Sequence, residues 1–157
     1  MSTNFTRRCA DDVLLRGDEV WPILGNIIDM PTYKKIMQHC VGLTRQWHCL
    51  EKAIMVARYV PQCTVVVGKC LIWSGDGTSN YGFEFNPPYE FHAWCQHPEG
   101  IIDIALPGVI EKGLSTFDEF GPFLVGRKPM VLAGEVPHWA LYSAQEIYKA
   151  VNYSHKG

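Results

Sequence analysis

The residues His97-Pro98-Glu99-Gly100 constrain this chain more than any others, because they separate two short runs with strand character. Residues 90–96 and 101–106 are rich in aromatic and β-branched side chains, and a proline–glycine break between them reads as a tight antiparallel connection. With a loop of two or four residues, Gln96 stands opposite Ile101, Trp94 opposite Asp103 and His92 opposite Ala105. Side chains alternate along a strand, so His92, Trp94 and Asp103 then share a face. His92 and Asp103 become diagonal neighbours within reach of a side-chain hydrogen bond. The same register turns Ile102, Ile104 and Leu106 to the other side, where a core wants them. A three-residue loop would shift the pairing by one and put Asp103 on the opposite face.

Elsewhere the pattern is mixed. Helical stretches are expected around residues 11–15 and 20–28. Pro31 suits a first-turn position and opens a short helix through Cys40, after which Gly42 breaks the chain. From Trp47 to Tyr59, the residues Leu50, Ala53, Ile54, Ala57 and Val60 recur at helical spacing, and Pro61 ends the helix. Residues 62–73, rich in Val, Ile and Cys, read as a strand, residues 74–80 as a turn or mobile loop, and residues 130–133 as a further strand. Thr116-x-x-Glu119 and Ser143-x-x-Glu146 carry the capping-box signature of helix starts, the second leading into a helix through Val151. Helices first, mainly antiparallel strands next and a terminal helix last make an α+β chain. Its 157 residues suit one domain spanning 1–157, with no repeat, linker or low-complexity tract.

Composition narrows the function. With 47% hydrophobic and 19% charged residues the chain is globular. A net charge of −2 offers no electrostatic reason to bind nucleic acid or an anionic membrane surface. The longest apolar stretches, residues 64–67 and 130–133, are far too short to span a bilayer. The polar N-terminus lacks a signal-peptide core, so a cytoplasmic location is expected, with the six cysteines as free thiols. Those cysteines contain no Cys-x-x-Cys pair. A zinc site from Cys63, Cys70, Cys95 and His97 is conceivable but lacks short paired spacings, so neither a metal nor another cofactor is expected. Most of the thiols read as small core residues.

Cys49 is the exception, because it falls near the start of the expected helix. The partial positive charge there favours a thiolate, and a nearby imidazolium favours it further. His92 would take the thiol proton and later return it to a leaving amine, while Asp103 fixes the tautomer of His92. Backbone amides near Cys49, with the side chains of Gln46 or Trp47, are candidates to stabilise an oxyanion. The plainer reading makes Cys49 a core thiol, His92 a satisfied strand histidine and Trp94 core or groove wall. Asp103 resists it, since an acid between Ile102 and Ile104 needs a partner or a sheet edge. His48 is aimed about 100° away from Cys49 on a helix and reads as a groove or surface residue. Cys95 alternates to the face opposite His92. His97 and His138 read as loop residues, and Asp76, Glu84 and Glu90 as solvated acids.

A cysteine at a helix start, Phe91-His92-Ala93-Trp94 on a strand and an Asp on the next strand resemble the transglutaminase-like branch of the papain-like cysteine superfamily. Within it, Cys49-Leu50-Glu51-Lys52-Ala53, then Val65-Val66-Val67-Gly68-Lys69, then Phe91-His92-Ala93-Trp94 look most like the leader peptidases of lasso-peptide biosynthesis. The resemblance runs from Trp47 to Leu106. It implies Cys49 as nucleophile, His92 as base and Asp103 as orienting acid on a papain-like core. Two departures stand out. Trp47 precedes the cysteine instead of following it, and the Arg-Gly-Gly-x-Cys signature of arylamine N-acetyltransferases is replaced by Thr44-Arg45-Gln46-Trp47-His48. The expected function is therefore acyl transfer at an amide or isopeptide bond of a peptide or protein substrate, by hydrolysis, deamidation or transamidation. A catalytically silent binding module on the same fold and a zinc-bound structural domain are the alternatives.

Overall fold

A computed structural model describes residues 21–43, 49–74, 77–116 and 130–149. Among the described residues, three helices lie among seven strands: β1 (Ile23–Gly25), α1 (Met30–Leu43), α2 (Cys49–Tyr59), β2 (Thr64–Trp73), β3 (Asn80–Phe83), β4 (His92–His97), β5 (Gly100–Asp103), α3 (Leu106–Thr116), β6 (Val131–Gly134) and β7 (Ala140–Ile147). The class is α+β. The strands form one mixed sheet in which β1 and β6 run parallel and every other pair antiparallel.

The sheet follows the order β1-β6-β5-β4-β2-β3, with β7 added on β2. Strand β2 organises it. Its first half pairs with β4 (Thr64↔Gln96 to Gly68↔His92), and its second half pairs with β3 (Cys70↔Phe83 to Trp73↔Asn80). Its other edge pairs with β7 from Val66 to Ile72, through an irregularity between Val67 and Gly68. Gly68 is needed there, because a Cβ would come within 2.1 Å of the Ser143 carbonyl oxygen. Val65, Val66 and Val67 are all buried, as expected of a strand covered on both faces.

The β4–β5 hairpin has the register expected of a two-residue loop: Gln96 opposite Ile101 and His97 opposite Gly100. Gly100 sits at φ +147, and a Cβ on it would meet the Gly134 carbonyl oxygen at 2.2 Å. Helix α2 packs on β4, where the Cys95 thiol donates to the Ala53 carbonyl at 3.1 Å. Asp29 begins α1 by accepting the Thr32 amide (2.9 Å), and the Thr32 side chain first and this amide second hold its carboxyl below the usual range. The apolar side chains of α1 and α2, the central strands and the start of α3 form one buried cluster.

Several expectations are corrected. Residues 23–25 within the expected 20–28 helix form β1, because Val131, Leu132 and Ala133 of β6 offer a parallel ladder that outweighs local propensity. Gly42 does not break the chain before α1 ends at Leu43. The strand expected to run to Leu106 stops at Asp103, and α3 begins at Leu106 with Pro107 in its first turn. Thr116 is the last described residue of that helix, and Glu119 of the expected capping box lies outside the described residues. Ser143 caps no helix, since residues 140–147 are strand β7 on β2. Part of the expected 74–80 loop joins β3 at Asn80. The helix expected at 11–15 lies outside the described residues.

Candidate active site

Strand register builds one face of the site. Gly68 of β2 stands opposite His92 and Ala144, and Cys70 opposite both Phe83 and Tyr142. Directly paired residues share a face, so His92, Cys70, Phe83 and Tyr142 point the same way. Trp94 follows by alternation, and Asp103 by extending the hairpin register. The absent side chain at Gly68 keeps the surface over β2 low between His92 and Tyr142. There the aromatic rings gather. The His92 ring stacks on Phe83 (5.7 Å between centroids, 6° between planes) and on Trp94 (5.9 Å, 26°). Tyr142 lies tilted against His92 at 6.2 Å and edge-on to Trp94 at 5.1 Å.

Asp103 is buried, and its oxygens are engaged. Oδ2 accepts from His92 Nε2 at 2.8 Å and from the Tyr142 hydroxyl at 2.7 Å, and Oδ1 accepts the Ala105 amide at 2.9 Å. A carboxylate offers no proton, so Nε2 carries the hydrogen of that bond, and the chemistry of the ring falls to Nδ1. Burial opposes a charge on His92. The Asp103 carboxylate, its hydrogen bond and the neighbouring Cys49 outweigh that burial and lift the ring from 6.5 to about 10. Because the folded value is the higher one, this arrangement stabilises the fold fully below pH 6.5. The contribution fades as pH rises toward about 10.

Cys49 is the first residue of α2 and has no exposed surface. Its thiol is near enough to His92 to help hold the ring protonated. His92 Nδ1 and Trp94 Nε1 are both buried and lack a well-formed hydrogen bond. Two such atoms on stacked rings are uncommon in a settled core. A second thiol, Cys70, shares the face but not the role. Burial first, and then the Asp103 charge, push Cys70 well above its ordinary value, so it stays a neutral thiol. The Tyr142 hydroxyl is pushed up for the same reasons and remains a donor.

The structure therefore brings Cys49, His92, Asp103 and Trp94 together. Gln46, Trp47 and His48, expected to line the oxyanion site or groove, lie outside the described residues, as does Asp76. Glu84 and Glu90 are tied down more than expected: Glu84 pairs with Lys69 at 3.2 Å, and Glu90 accepts the Glu84 amide at 2.8 Å. Together with the Asn86–Glu90 backbone bridge, these contacts fix the loop that leads into β4. Tyr142 and Phe83 went unseen in the sequence, and Cys70 was considered only as a zinc ligand, not as a neighbour of His92 and Asp103. Cys70 is readable from the Gly68, Cys70, Ile72 alternation once β2 is registered against β4. Tyr142 was hidden by a capping-box pattern that β7 does not use.

The zinc alternative finds no such site. Among the described residues the one grouping with metal-ligand character is Cys70, His92 and Asp103, with ligand atoms within 4.8 Å of one another, and it excludes Cys63, Cys95 and His97. Its histidine and carboxylate are already hydrogen-bonded to each other, so an ion there would have to replace that bond. His97 Nδ1 instead accepts the Glu99 amide in the hairpin. Among the described residues, no helix is long and apolar enough to cross a membrane. No protein-family model matches the chain, nor does any curated protein or solved structure.

Proposed function

We propose that this protein is a cysteine-dependent acyl-transfer enzyme acting on an amide or isopeptide carbonyl of a peptide or protein. The observation that carries this reading is a buried His92 whose Nε2 is held by Asp103 and whose ring is drawn toward the protonated form by that carboxylate and the neighbouring Cys49 thiol. An imidazolium beside a thiol at a helix start favours the thiolate. The thiolate would attack the carbonyl carbon while the carbonyl electrons move onto oxygen. The first amides of α2 and the unpartnered Trp94 Nε1–H are the donors available to that oxygen. His92 would then pass its Nδ1 proton to the leaving nitrogen, giving an acyl-enzyme. Water deprotonated by His92 completes hydrolysis or deamidation, and an amine in its place completes transamidation. The resemblance to transglutaminase-like enzymes assigns the same three roles.

One observation favours a second reading, a catalytically silent module: Cys49 and His92 are both 0% exposed, so substrate must wait for the site to open. Labelling the intact protein with a small haloacetamide separates the two. The enzyme reading expects Cys49 to label at a rate nearly constant from pH 5 to 8, as a thiolate does, and expects His92→Ala to abolish that plateau. No labelling of Cys49 in the folded protein, or a rate falling about tenfold per pH unit below 8 as for an ordinary thiol, would overturn it.

A further inference from the structure

Outside the triad, a second pair of thiols has its own geometry. Cys63 directly precedes β2, and Cys95 lies in β4, where Val65 stands opposite Cys95 and Thr64 opposite Gln96. Extending that register sets Cys63 diagonal to Cys95 on the same face. Their thiols are close enough to perturb each other. Their surroundings differ: Cys95 is fully buried and also within reach of the Ala53 carbonyl, whereas Cys63 is half-buried and open to solvent on one side. One thiol is accessible, and its partner waits behind it.

We propose that Cys63 and Cys95 form a redox-modification site that a hydroperoxide closes to an intramolecular disulfide. Solvent reaches the half-buried Cys63 and not the buried Cys95 behind it, so Cys63 is the attacking sulfur and Cys95 the resolving one; contact with Cys95 also draws the Cys63 thiol below its ordinary value. The Cys63 thiolate attacks the outer oxygen of the peroxide. The O–O bond breaks, the alkoxide or hydroxide leaves and takes up a proton, and Cys63 becomes a sulfenic acid. The Cys95 sulfur then attacks the Cys63 sulfur, the S–O bond breaks, and the departing hydroxide takes the Cys95 proton as water. Two thiols lose two electrons and two protons, and one peroxide is reduced to an alcohol (or water) and water. Closing the bond withdraws Cys95 from the Ala53 carbonyl, so oxidation reaches the helix that starts at Cys49. The pair shares no residue with the Cys49, His92 and Asp103 group, and it stands whether or not that group is catalytic.

The experiment treats the intact reduced chain with near-stoichiometric hydrogen peroxide, digests it without reductant and maps the peptides by mass spectrometry. The expected product is a peptide pair joined through Cys63 and Cys95, about 2 Da lighter than the reduced pair and separated again by dithiothreitol. In Cys63→Ser, whose reduced-state thermal midpoint should match the wild type, the link is lost and Cys95 stays unmodified. Oxidation of Cys63 to sulfinic acid without a link overturns the proposal. So does a disulfide from either residue to a different cysteine.

Discussion

Replacing Asp103 by Asn keeps the size of the side chain and an acceptor for the Ala105 amide, but removes the charge that faces His92. In the wild type that charge works against full burial of the ring and still leaves it at about 10, against an ordinary 6.5. The span is about three and a half units, or about 5 kcal/mol at 1.36 kcal/mol per unit. Without the carboxylate, burial is the dominant influence left, and it favours the neutral ring. The His92 pKa should therefore fall below 6.5 in Asp103→Asn. The measurement is a pH titration of the ring nitrogens by NMR on labelled protein. Wild-type His92 should be protonated at pH 7 with both nitrogens carrying hydrogen, and in the variant it should be neutral. Stability measured by denaturant should decline as pH rises from 6.5 toward 10 in the wild type, and this decline should vanish in the variant. A wild-type His92 that titrates near 6.5, or one unmoved by the substitution, would refute the electrostatic account of the site.

Tyr142→Phe removes one charge-assisted donor from Asp103 and should cost about 1.5–3 kcal/mol in denaturant unfolding. It should also move the His92 titration upward, since the carboxylate is left less neutralised; a downward shift would contradict the assigned bond. Gly68→Ala should lower stability by about 1–3 kcal/mol, because its Cβ meets the Ser143 backbone, and a neutral effect on the urea midpoint would show that β7 pairs differently. Trp94→Phe deletes an N–H that makes no hydrogen bond here, so stability should fall only by what the smaller ring forgoes in packing. If that N–H receives the oxyanion, turnover of an activated ester should drop about 10²–10³-fold with KM little changed.

The His92–Asp103 pair was legible because it depends on one short hairpin. A two-residue loop sets the register, and period-two alternation does the rest. Helix α2 was equally legible, since its apolar face repeats within the segment. What escaped notice depends on partners far away in the chain. Residues 140–147 carry a local helix-start pattern, yet β2 offers an unpaired edge to Val66–Ile72, and the ladder prevails over the cap. The same applies to β1, whose three residues are strand only because β6 lies beside them. Helix α3 was missed for a local reason. The apolar run 101–106 was read as continuous strand, although Pro107 marks a first helical turn. Tyr142, the second donor to Asp103, was lost together with β7.

The complete burial of Cys49 turns its reactivity into a clock. A reagent outside the protein reacts only in the fraction of time the sulfur is uncovered, so at low reagent concentration the rate reports how often that happens. Raising the concentration far enough makes capture faster than reclosing, and the rate then levels off at the speed of opening itself. An enzyme with this architecture would have its turnover capped by that same speed, however well the thiolate is activated. The plateau is thus an upper bound on catalysis that can be measured before any substrate is known.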